Sequence, residues 1–121
     1  MDITEFLTAR WDEEEAIARA ASSGPWKVGT LYDRWPIVED AVGYVAGAQL
    51  YDQYEHYAIE LDVADAKHIA LHDPARVLAD LETKRAILDH HDRHGEDDTY
   101  LHLLARPYRE HSDFDPAWSV P

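Results

Sequence analysis

The sequence predicts an α+β fold: an N-terminal helix, a small antiparallel sheet of about three strands, and a C-terminal helical half packed on it. Three observations predict it. Residues 2–22 repeat apolar side chains at helical spacing and stop at Ser22-Ser23-Gly24-Pro25. The middle of the chain carries short runs of β-branched and aromatic residues. From Ala64 onward the helical period returns.

In the first helix, Ile3, Phe6, Leu7, Trp11, Ile17, Ala18 and Ala21 share a face at about 100° per residue. The acidic run Asp12 to Glu15 lies mid-helix, so dipole complementarity does not explain it. Arg10 and Glu14, spaced i,i+4, project onto the centre of the apolar face. A charge there must be matched or reach water, because an unpaired buried charge is costly. Gly24 and Pro25 end the helix.

Residues 26–32 read as a strand and Asp33 to Pro36 as a turn. Two further strand candidates are 37–46 and 57–63; in the second, Tyr57, Ile59, Leu61 and Val63 fall on one side. Between them, GAQLYDQYEH fits a loop, a short strand or a helical turn. Asp65 is placed to cap a short helix bearing His68, Ile69 and His72. Asp73-Pro74 restarts the chain, since Asp is a good N-cap and Pro loses nothing at the first helical position. The long helix expected over 74–93 carries Val77, Leu78, Leu81, Arg85 and Leu88 in one stripe, and His94-Gly95 stops it. A last helix covers Thr99 to Arg106 with Leu101, Leu104 and Ala105 inward, and Pro107 forces a kink or an end. The tail from Tyr108 to Trp118 lacks a period, and its aromatics are expected to clamp it onto the core.

The chain of 121 residues fits a single domain, 1–121, with enough apolar and aromatic content (45% and 11%) for a real core. With no cysteine there is no disulfide framework and no thiolate site. The acidic N-terminus lacks the basic start and apolar run of a signal peptide, and no stretch is long enough for a membrane span. The expectation is a cytoplasmic protein. Twenty-five acidic against 11 basic residues give a formal charge of −14. That charge opposes a nucleic-acid polymer or an anionic membrane as partner, and it suits a basic protein.

Chemistry-bearing patterns are sparse. His68 and His72 sit i,i+4, the spacing of a helical metal site, but HIALH lacks the glutamate of HExxH. His90 and His94 make a second pair at the end of the long helix, where imidazolium also complements the helix dipole. Ser22, Ser23, Ser112 and Ser119 lie outside any nucleophile elbow, and the five glycines form no phosphate loop. No catalytic motif argues for an enzyme, and no cofactor is expected. Trp26, Trp35, Tyr44, Tyr51, Tyr54 and Tyr57 crowd the sheet region with Lys27 and Arg34, a surface able to stack a planar ligand as well as to pack on helices.

Four segments carry a family resemblance: Arg10 to Glu15, Gly24 to Trp26, the segment HIALHDPARVL (68–78), and Leu103 to Trp118. They resemble an uncharacterised actinobacterial family found in streptomycete genomes and their phages, with an ARLDEDE-type first helix, a GPW turn, a HIARHDPARVL segment and a final LALPYADHPDYxxxW. The four matching segments hold 36 of the 121 residues. The resemblance implies genomic company and no biochemical activity. Relatives carry cysteines and histidines between the last two helices, suggestive of a metal knuckle; here the interval from His90 to His102 has no cysteine.

Three functional readings follow. The first is a non-enzymatic accessory protein of a phage or mobile element that binds a basic host protein, alone or as a homodimer. The second is a small-ligand, nucleotide-like binder with Arg10, Trp26, His68 and Arg76 lining a pocket between sheet and helices. The third is a metal-dependent enzyme using the pairs His68/His72 and His90/His94.

Overall fold

The computed structural model describes residues 1–33, 35–47, 61–95 and 97–120. It has the α+β class expected: helix α1 (Ile3–Ala20), strands β1 (Lys27–Leu31), β2 (Trp35–Glu39) and β3 (Tyr44–Gly47), then helices α2 (Val63–Leu71), α3 (Pro74–His94) and α4 (Thr99–Ala105). Two 3-10 turns, Arg106–Tyr108 and Pro116–Trp118, close the chain. The residues divide into two compact units: 1–17 with 79–121, and 18–78.

In the first unit, Asp2 and Glu5 form a reciprocal capping box at the start of α1. The Glu5 amide donates to Asp2 Oδ1 at 2.8 Å, and the Asp2 amide donates to Glu5 Oε2 at 3.0 Å. Ile3, Phe6, Leu7 and Trp11 are buried as the period requires, with Leu81, Leu88, Leu101, Ala105 and Trp118. Ile17, expected on the same face, is 71% exposed. The tail that covers this face gathers on Phe6, and Ile17 lies eleven residues on, roughly 16 Å further along the axis. Gly95 ends α3 with φ +61° and donates its amide to the His91 carbonyl at 3.0 Å, a left-handed cap that suits glycine. At Pro107 the helical path tightens into the first 3-10 turn, as that proline dictates. The tail clamps as expected. The Phe6 ring, fully buried, meets Tyr108 at 6.0 Å, His111 at 5.7 Å, Phe114 at 6.0 Å and Trp118 at 5.1 Å between centroids.

The second unit holds an antiparallel sheet in the order β1-β2-β3, with α2 packed on β1 and β2. The run 37–46, read as one strand, is broken into the end of β2 and the start of β3. Asp40 Oδ1 accepts the amides of Val42 at 2.8 Å and Gly43 at 2.9 Å, folding the run into a hairpin in which Val38 opposes Ala46. Of the strand expected over 57–63, Tyr57 and Ile59 lie outside the described residues. Val63 is instead the first residue of α2. The cap of that helix is Asp62 rather than Asp65: its backbone is extended, and its side chain accepts the Ala64 amide at 2.7 Å. The segment 48–56, with Tyr51 and Tyr54, also lies outside the described residues, as does Arg34.

Candidate functional site

Asp73 organises the second unit. It is 9% exposed and both carboxylate oxygens accept backbone amides: Oδ1 from Arg76 at 2.9 Å, Oδ2 from Trp26 at 3.1 Å. The first bond is the helix cap expected from Asp73-Pro74. The second ties the GPW turn to the start of α3 across 47 residues of sequence. A Cβ on Gly24 would stand 2.8 Å from Asp73 Oδ2, so this approach requires glycine. The Trp26 indole N–H donates to the Ser22 carbonyl at 2.8 Å, satisfying an acceptor left over past the end of α1.

The second unit therefore contains three of the four proposed ligand-binding residues, Trp26, His68 and Arg76, and the first contains Arg10. The backbones of Trp26 and Arg76 converge on Asp73. His68 neighbours His72 instead, with ring centroids 4.4 Å apart and planes tilted by 42°. The His72 Nδ1 lies 2.8 Å from the His68 carbonyl oxygen.

Arg10 occupies the apolar face of α1 and is 7% exposed. The expected partner was Glu14; the structure pairs its Nη2 with Glu13 Oε1 at 3.2 Å. Glu14 is taken by the tail, accepting the Tyr108 hydroxyl at 2.5 Å. The guanidinium lies 5.4 Å from the centroid of the Phe6 ring. Its Nε and Nη1 are buried with no acceptor among the described residues. Burial raises the Tyr108 pKa far above the ordinary phenol value, reinforced by its hydrogen bond to Glu14 and by that residue's charge. The neighbouring Trp11 N–H and the Arg10 charge pull the other way and are outweighed.

The remaining members of the acidic run are also occupied. Arg85 donates to Asp12 Oδ1 and Glu15 Oε1, each at 3.0 Å, so its place in the α3 stripe is that of an ion-pair donor. Sequence reasoning missed the roles of Arg85 and Tyr108, because their partners lie 70 to 94 residues away and no local spacing encodes them.

The α3–α4 corner holds His90, His91 and His94. The His90 and His94 rings lie 4.2 Å apart between centroids, tilted by 38°. His91 lies between two carboxylates, with Nε2 3.1 Å from Asp98 Oδ1 and Nδ1 3.6 Å from Asp92 Oδ1. The hydroxyl and amide of Thr99 hold the Asp97 carboxyl below the usual range, helped by the charges of His91 and His102. Among the described residues no group of three or more His, Asp or Glu side chains is arranged to hold a metal ion. An open depression of about 480 Å³ is lined by Leu103, Arg106, Pro107, Arg109 and Glu110. No described helix is long and apolar enough to cross a membrane.

No curated protein and no solved structure matches the chain. The profile of a family of unknown function, DUF6221, does match, over residues 1–120, so the match spans all four motifs on which the resemblance rests. The chain belongs to that family of unknown function.

Proposed function

We propose that this protein is a non-catalytic accessory protein of a phage or mobile element, working in the cytoplasm by binding a basic host protein. One observation carries the reading: the placement of the negative charge. The first unit holds 16 of the acidic residues against six basic ones, a balance of −10, and the second holds nine against five, −4. Within the first unit the α1 run is engaged by Arg10, Arg85 and Tyr108. Further exposed carboxylates stand at the α3–α4 corner, at Asp92, Asp97 and Asp98, and on the tail, at Asp113 and Asp115. Charge so placed raises the association rate with a basic surface and loses that effect as salt screens it.

The test is capture of partners from host lysate on the immobilised chain at low and moderate salt. A basic protein should be retained at low salt, and its association rate should fall several-fold with added salt and again in Asp97→Lys/Asp98→Lys. Retention of no basic partner, or an association rate indifferent to both changes, overturns the reading.

A further inference from the structure

Two helices, one in each unit, end in the same device. His68 and His72 close α2, and His90 and His94 close α3; each pair is spaced i,i+4 and exposed, with centroids 4.4 Å and 4.2 Å apart and ring planes tilted by 42° and 38°. We propose that each pair is a two-imidazole site for a late first-row divalent ion, copper(II) or nickel(II), with water completing the coordination.

The placement of both pairs and, in α2, the hydrogen bond of His72 support this assignment. The His68 carbonyl can only accept, so the His72 Nδ1 beside it is the donor, which leaves Nε2 as the nitrogen available to a metal ion. A histidine whose other nitrogen is tied to a carbonyl is the usual form of a metal ligand. Metal–imidazole bonds of about 2.0 Å put two cis nitrogens roughly 2.9 Å apart. Tilted rings already neighbouring at i,i+4 can be brought to that separation by side-chain rotations at exposed positions. Both pairs occupy the carbonyl end of a helix, where the dipole favours a cation, and the chain's charge of −14 favours it again. In α3 the neighbouring Arg93 is drawn away by Asp89 at 3.2 Å. Among the described residues neither pair belongs to a group of three or more ligands such as a structural zinc site uses, whereas a tetragonal ion accepts two imidazoles and water.

The proposal is independent of partner binding and is tested on the untagged full chain titrated with copper(II), nickel(II) and zinc(II) by calorimetry, with electron paramagnetic resonance of the copper form. Two copper ions per chain are expected, each with two nitrogen couplings, with copper bound most tightly. His72→Gln and His94→Gln should each remove one ion and the double variant both, with circular dichroism unchanged because all four side chains are exposed. Absence of copper binding in the parent chain, retention of both ions in the double variant, or zinc bound more tightly than copper overturns it.

Discussion

Among the described residues each unit buries one charged side chain, and the two are treated in opposite ways. Asp73, in the second unit, has a backbone amide on each carboxylate oxygen, and its carbonyl accepts the Val77 amide at 3.1 Å. Arg10, in the first, has one carboxylate on Nη2, an aromatic face beneath it, and two buried nitrogens without acceptors among the described residues. The difference follows from what surrounds each group. A helix start and a turn both supply spare N–H donors, which an acceptor-only carboxylate takes up completely. A guanidinium needs acceptors for five N–H bonds, and a cluster built from Phe6, Trp11 and Tyr108 offers few. Asp73 is therefore a fully paired joint, whereas Arg10 is paired at Nη2 alone and offsets its burial only in part.

The largest expected effect comes from removing the ring under Arg10. Phe6→Ala deletes the contact surface for four tail rings and should destabilise the first unit by about 3–5 kcal/mol. Amide exchange should show protection falling in α1, α4 and the tail; unchanged protection at Leu101 and Trp118 would show that the tail is held without Phe6. Next comes Asp73→Ala, which removes the α3 cap and leaves the Trp26 amide unpaired, at about 2–3 kcal/mol. Asp73→Asn keeps one acceptor oxygen and should lose less. Equal losses in urea denaturation for the two variants would mean that the contact to Trp26 contributes nothing. Gly24→Ala probes the same joint from the other side, since its new Cβ meets Asp73 Oδ2, and should cost about 1–2 kcal/mol.

These two joints also divide what the sequence reveals from what it conceals. Asp73-Pro74 announces a helix start because capping is local chemistry, and α3 begins there. The same carboxylate's grip on Trp26 is invisible, because nothing local specifies a contact 47 residues distant. The apolar face of α1 is legible from its period at Ile3, Phe6, Leu7 and Trp11, yet period alone cannot say how far the covering tail extends, and Ile17 is left exposed. Arg10 reads correctly as a charge on an apolar face. Its partner does not, because the Tyr108 hydroxyl competes for Glu14 and only the folded tail brings that competitor into range. The hairpin within 37–46 was legible in Asp40 and Gly43, but its β-branched flanks outweigh them in a reading by propensity.

Arg10→Met separates the cost of the charge from the value of the side chain's bulk. Methionine fills similar space without N–H groups, so stability should stay level or rise by about 1 kcal/mol. Arg10→Ala leaves a cavity as well and should lose about 2 kcal/mol. The check is the urea midpoint at constant slope. A methionine variant as damaged as the alanine one would mean that the guanidinium is satisfied by bound water or another acceptor.

The smallest effect is a titration, and it reads the same cluster. The folded state holds Tyr108 as the neutral phenol, so its folded pKa lies above the unfolded value near 10. Its contribution to stability is complete below about pH 10 and is lost as pH rises beyond that, because only the unfolded chain then releases the proton. Phenolate absorbance during an alkaline titration should show one tyrosine that resists ionisation until the chain unfolds, and Tyr108→Phe should remove it. The exposed Asp40 and Asp97 act with the opposite sign. Each is held low by local hydrogen bonds, and their slight contribution disappears as pH falls through the carboxylate range. Arg10→Met should raise the resistant phenol further still, since it removes the charge that favours phenolate. If the phenol instead titrates earlier in that variant, Arg10 orders the Glu14–Tyr108 bond and acts as a positioning group for the tail.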